Sequence, residues 1–123
     1  MKIIIDGIPL DCHKGYVKLT VAQKDSICNG CGPSGWRANF VPNTFYGLSI
    51  KELCNIHDYD FSVYKTIKGF NIANDRLYNN FITYINAKSN WFMAILRRRR
   101  AKTYCMFVES QLGVDAFYDS TKV

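Results

Sequence analysis

Nothing in the chain approaches the ~18 consecutive apolar residues of a membrane-spanning helix. The opening Met1-Lys2-Ile3-Ile4-Ile5-Asp6 holds an apolar run of only three residues. That is too short for a secretory signal, so the chain is expected in the cytoplasm unless lysis or a partner releases it, or a virion carries it. No internal repeat, linker or composition shift divides the 123 residues, and residues 1–123 read as one domain. Acidic residues are the scarcer charge, ten Asp+Glu against sixteen Lys+Arg, for a net charge of +6. A positive field favours anionic partners: nucleic acid, phospholipid surfaces or phosphorylated substrates. No nucleic-acid-binding motif accompanies the charge, so no nucleic-acid partner is expected. A monomer is expected. The chain also lacks an even cysteine count: with Cys12, Cys28, Cys31, Cys54 and Cys105, at least one thiol stays free if the others pair. The missing signal argues for reduced thiols, whereas the clustering of Cys28, Cys31 and Cys54 near His57 argues for a role, and both remain open.

Apolar residues make up 48% of the chain, enough for a proper core. Two short β-type runs, Ile3 to Ile5 and Tyr16 to Val21, suggest a small N-terminal arm or hairpin, with Gly7-Ile8-Pro9 and Lys14-Gly15 as turns between them. Gln23 to Pro42 reads as a Gly/Pro/Ser/Asn-rich loop, anchored by Trp36, Phe40 and Val41. A Ser49-x-x-Glu52 capping box starts a helix over Ser49 to Tyr64. A second helix is expected from an Asn71 cap through Ile72 to Ala87, with Leu77, Tyr78, Phe81, Ile82 and Ile85 inward. A third, from Trp91 to Leu112, carries Arg97 to Arg100 and stops at Gly113. Four consecutive helical residues cannot share a face. Some of these arginines must be partly buried and paired, with Asp115 or Asp119 as candidates, while the others form a solvated or lipid-attracting surface.

The stretch Leu53-Cys54-Asn55-Ile56-His57-Asp58-Tyr59-Asp60 sets an imidazole beside a carboxylate on the first of these helices. His57 shares the inward stripe of Ile50, Leu53, Cys54, Phe61 and Tyr64, where an ordinary core histidine is the plain alternative. Asp58 lies at the edge of that stripe, and Asp60 should point outward. A short connection makes the first two helices antiparallel neighbours. Counted from the turn, Asp75 and His57 differ in height by only ~5 Å, so that carboxylate can meet the imidazole. The plainer alternative pairs Asp75 with Arg76 or a surface lysine. In Asn29-Gly30-Cys31-Gly32-Pro33-Ser34-Gly35, glycines let carbonyl oxygens turn inward. The carbonyls of Gly30, Gly32 and Ser34 (or Gly35), with the Asp58 carboxylate, are suitable Ca²⁺ donors, although an ordinary Gly/Pro turn has the same composition. Cys28-x-x-Cys31 and Cys54-x-x-His57 equally have the spacing of a four-ligand structural zinc site, and spacing alone ranks zinc above calcium.

Together these residues resemble the secreted-type phospholipase A2 family, most strongly its small bacterial and phage members. Asn29 to Gly35 looks like the family's Cys-Gly-x-Gly calcium loop, Cys54-Asn55-Ile56-His57-Asp58 like its Cys-x-x-His-Asp motif, and Asn74-Asp75-Arg76 like the segment bearing its second catalytic Asp. Asn43 to Leu48 and the arginine-rich helix with Tyr104 are also similar. The match covers about Cys28 to Phe81. It implies a mainly α, phospholipase A2-like fold: a calcium loop, two antiparallel catalytic helices, a third basic helix and a small β-type N-terminal arm. It also implies Ca²⁺-dependent hydrolysis of a phospholipid ester at an anionic membrane surface. In that scheme His57 is the general base and Asp75 its orienting partner. Gly30, Gly32, Ser34 and Asp58 bind Ca²⁺, the Gly32 N–H meets the oxyanion, and Cys31 pairs with Cys54. Three departures stand out. Phe61 replaces a common Tyr, Ser34 replaces a common Gly, and most other family disulfides are missing. The alternative is a non-catalytic lipid- or protein-binding module with a structural zinc on Cys28, Cys31, Cys54 and His57, or with an empty site.

Overall fold

In a computed structural model of the chain, the residues described are 1–28 and 44–109. They are mainly helical, with two small hairpins. Strands β1 (Lys2–Ile5) and β2 (Ile8–Asp11) pair antiparallel, with Ile3 opposite Leu10 and Ile5 opposite Ile8. Asp6 and Gly7 join them with φ of 51° and 81°, the two-residue left-handed turn whose twist suits a hairpin. The segment read as a turn, Gly7-Ile8-Pro9, is thus mostly strand. Pro9 is tolerated because every strand of a two-stranded ribbon is an edge.

Tyr16 to Val21 is not the expected strand. Tyr16–Lys18 forms a 3-10 turn, and Val21–Ile27 is a helix, α1. Local capping outweighs the alternating pattern here. The Gln23 N–H donates to Thr20 Oγ1 at 3.1 Å, and the Thr20 N–H donates to Gln23 Oε1 at 2.9 Å. Gln23 to Ile27, expected as loop, are therefore helical, and residues 29–43 lie outside the described residues.

Strands β3 (Thr44–Phe45) and β4 (Leu48–Ser49) form the second hairpin, turning through Tyr46 and Gly47 at φ of 48° and 82°. Helix α2 (Lys51–Val63) follows, then α3 (Ile67–Lys88) and α4 (Trp91–Val108). The Ser49–Glu52 capping box does not form. Ser49 is committed to β4, Ile50 is the N-cap without a side-chain bond, and the Glu52 carboxylate instead accepts from the Tyr16 hydroxyl at 3.2 Å. Helix α3 starts before Asn71, because Thr66 Oγ1 accepts the Gly69 N–H at 3.1 Å and caps it a turn earlier. Asn90 caps α4 through the Met93 N–H at 2.8 Å. Helix α4 ends at Val108, and the expected stop at Gly113 lies outside the described residues.

The main core lies between α2, α3 and α4, around Leu53, Leu77, Phe81, Ile85 and Ala101, with Phe45 and Leu10 brought in by the hairpins. Phe45, Phe81 and Tyr104 meet edge-to-face, with centroids 5.2, 5.6 and 6.3 Å apart. Such pairs add about 0.5–1.5 kcal/mol each beyond burial. A second cluster of Cys12, Tyr16, Ile56 and Tyr59 packs the N-terminal segment on the other side of α2. Gly15 permits this approach, since a Cβ there would collide with the Tyr59 hydroxyl. Helix α2 is consequently buried on most of its circumference, which decides the environment of His57 and Asp60 alike. No described helix is long and apolar enough to cross a membrane.

Candidate active site around His57

His57 projects from the middle of α2 toward α3 and is 5% exposed. Its Nε2 lies 2.7 Å from Asn74 Oδ1. A carbonyl oxygen only accepts, so Nε2 carries the proton and Nδ1 keeps the lone pair. The ring also packs on Phe61 at 4.2 Å between centroids, and Phe61 on Phe70 at 5.7 Å. Burial lowers the His57 pKa from 6.5 to about 4, opposed by the Asn74 bond, so the imidazole is neutral at pH 7.

Asp75 is not the partner of His57. It is exposed and lies in a surface groove between α3 and α4 with Tyr78, Lys102, Cys105 and Met106. Height along the axis brings residue 74 or 75 level with His57, but rotation separates them by about 100°. The buried stripe runs through Phe70, Asn74, Leu77, Phe81 and Ile85, which points Asn74 inward and Asp75 away. Counting Tyr78 and Ile82 as inward turned the expected stripe too far. Tyr78 is 37% exposed and Ile82 only half-buried.

Asp60 also departs from expectation. Rather than facing solvent it is fully buried, because the N-terminal segment covers that side of α2. Arg76 Nη1 donates to Asp60 Oδ1 at 2.7 Å, while its Nε donates to Asp11 Oδ2 at 2.9 Å. Arg76 therefore ties α2, α3 and β2 together. Asn80 reinforces this, accepting the Asp11 N–H at 2.9 Å and donating to the Asp11 carbonyl at 2.8 Å. The carboxylates of Asp11 and Asp60 are 65 and 16 residues from Arg76, so local spacing carried no signal for this network. Burial raises the Asp60 pKa from 3.8 to about 6 despite the Arg76 charge.

His57 and Asp60 oppose each other in acid. Between pH 4 and 6.5 the unfolded chain protonates His57 while the folded chain does not, so this group adds stability as pH rises. Between pH 3.8 and 6 the folded chain holds the Asp60 proton, so that group's contribution is lost as pH rises. Each is worth about 3 kcal/mol. Urea unfolding should therefore show little net slope from these two groups in the wild type. His57→Ala should lose stability from pH 4 to 6.5, and Asp60→Asn should gain it. Equal slopes in both variants would refute the opposition.

Asp58 follows His57 on α2 and is half-buried. It is the one expected Ca²⁺ ligand among the described residues, since Gly30, Gly32 and Ser34 lie outside them. A hard carboxylate suits Ca²⁺. Burial first, then the Asp58 charge, pushes the neighbouring Cys28 thiol up to about 12. Of the zinc set, Cys28 donates its thiol hydrogen to the Asn55 carbonyl at 3.2 Å. Cys12, Cys28 and Cys105 are free, and Cys31 lies outside the described residues. Among the described residues no three His, Cys, Asp or Glu side chains converge as a metal site.

The arginine run divides as its geometry requires, and its hydrogen-bond partners among the described residues are neutral oxygens. Arg97 donates to the Phe45 and Tyr46 carbonyls at 3.1 and 2.8 Å and to Ser89 Oγ at 2.8 Å, and Arg98 donates to Asn86 Oδ1 at 2.7 Å. Arg100 lies over the Tyr46 ring at 5.2 Å. Asp115 and Asp119 lie outside the described residues. Compared with family models, curated proteins and solved structures, the chain matches none of them.

Proposed function

We propose that the chain hydrolyses a phospholipid carboxylic ester with the aid of Ca²⁺, on a phospholipase A2-like fold. The observation that carries this reading is a neutral, buried His57 with Nε2 held by Asn74, next to the half-buried Asp58. The resemblance of residues 28–81 supplies the rest. His57 Nδ1 takes a proton from the attacking water, and Asn74 holds the tautomer that leaves this nitrogen basic. Asp58, with the carbonyls of Gly30, Gly32 and Ser34, would hold Ca²⁺. A bound Ca²⁺ would supply polarisation of the ester carbonyl. The Gly32 N–H would donate to the oxyanion, and a Cys31–Cys54 bridge would fasten the loop to α2. The metal, its loop ligands and the bridge all rest on the resemblance.

One observation favours a second reading, a non-catalytic lipid- or protein-binding module. Asn74 has no charge with which to stabilise an imidazolium, and a base titrating at about 4 is weak. Purified protein and phospholipid vesicles separate the two. Fatty acid release with Ca²⁺, abolished by a chelator and by Asp58→Asn at unchanged helicity, is the expected result. Undiminished release in chelator would rule out the mechanism, and no release with Ca²⁺ would leave the binding module.

A further inference from the structure

From Leu77 to Val108 the chain has six basic residues (Lys88, Arg97 to Arg100 and Lys102) and no Asp or Glu. Among the described residues none of the six pairs with a carboxylate. Helix α4 meets the core through Ala94, Ala101, Tyr104, Cys105 and Val108. Near its N-terminus three large apolar residues face out: Trp91 is 77% exposed, Phe92 54% and Ile95 38%. The two aromatic rings touch edge-on, with centroids 6.0 Å apart. Arg99, one turn beyond Ile95, continues the same stripe, and Lys88 precedes the Ser89-Asn90 turn. An apolar tip ringed by cations that have no carboxylate partner among the described residues therefore projects from the α3–α4 corner. It is not the rim of the His57 site, since roughly 21 Å of helix separates Asn74 from Lys88.

We infer that this corner docks on an anionic bilayer surface, Trp91, Phe92 and Ile95 entering the headgroup region while Lys88, Arg98 and Arg99 meet lipid phosphates. Tryptophan is enriched at that depth, and helices that lie in the interface combine aromatic residues with Lys and Arg. Charge complementarity selects the occupant. A two-fold pairing of two copies through this corner would bring like charges together. Nucleic acid would satisfy the cations but not Ile95. The choice of lipid leans on the proposed ester substrate, but the surface does not depend on catalysis.

The test is co-sedimentation with phosphatidylglycerol-containing and pure phosphatidylcholine vesicles, in chelator so that no hydrolysis intervenes. Wild type should sediment with the anionic vesicles alone. Lys88→Gln and Arg99→Gln should each weaken partitioning about five-fold. Trp91→Ala with Phe92→Ala should weaken it about ten-fold or more, at unchanged circular dichroism. Equal binding to phosphatidylcholine, or undiminished binding by the variants, would overturn the inference. So would a wild-type dimer, or a nucleic-acid complex, that these substitutions dissolve without any vesicle binding. Vesicle binding through these residues with no ester hydrolysis upholds the surface and fails the enzymatic reading. Hydrolysis of a soluble short-chain ester with no vesicle binding fails the surface alone.

Discussion

Replacing Arg76 with methionine should lower the unfolding free energy by about 3–5 kcal/mol at pH 7. Asp60 is fully buried, and among the described residues its other oxygen, Oδ2, has no hydrogen-bond partner. Among the described residues the guanidinium is thus the one group holding the Asp60 charge inside the protein, and removing it leaves a buried carboxylate without that partner. Asp11 would lose its Nε bond at the same time, leaving the two Asn80 bonds to hold the hairpin on α3. Adding Asp60→Asn to Arg76→Met should recover part of the loss, because an amide costs far less to bury than an unpaired carboxylate. Equilibrium unfolding in urea reads both effects. If the double variant is as unstable as the single one, packing of the arginine stem explains the loss and the ion pair does not. The pair has a bearing on the site as well. Asp60 is three residues from His57 on α2 and Arg76 two from Asn74 on α3, so their bond holds the two helices in the rotation that brings His57 onto Asn74.

On the proposed mechanism, His57→Ala should reduce ester hydrolysis by about 10²–10⁴-fold, the usual contribution of a general base. Asp75→Asn should leave the rate nearly unchanged, since Asp75 is exposed and on a different face from Asn74. Asn74→Asp is the more informative substitution. A carboxylate 2.7 Å from Nε2 would raise the His57 pKa and stabilise the imidazolium, so kcat should rise about ten-fold or more while KM changes little. Asn74→Leu should lower kcat by freeing the ring to change tautomer. Rates in Ca²⁺ with each variant decide the assignment. If Asp75→Asn costs as much as His57→Ala, the rotation of α3 described above does not hold in the working protein. If Asn74→Asp leaves kcat unchanged, Asn74 is not the group that positions the base.

Much of the helical architecture was legible in the sequence alone. Apolar residues at helical spacing marked three helices within a few residues of their ends, although the expected connection around Gly69 belongs to the first turn of α3. His57 was rightly placed on the inner side of α2, because Leu53 and Cys54 one turn earlier share its direction. The tertiary structure decided what local spacing could not. Whether Asn74 or Asp75 meets His57 depends on a rotation of about 100° about the α3 axis. Packing of Phe70, Leu77 and Phe81 against α2 and α4 sets that rotation. Asp60 lies off the apolar stripe of α2, and only the folding back of residues 12–16 buries it. Tyr16 to Val21 alternates like a strand, but the Thr20–Gln23 capping bonds make helix there, while Ser49, a good cap by type, is taken by a hairpin. In each case a long-range neighbour or a competing local hydrogen bond outweighs a preference worth at most about 1 kcal/mol.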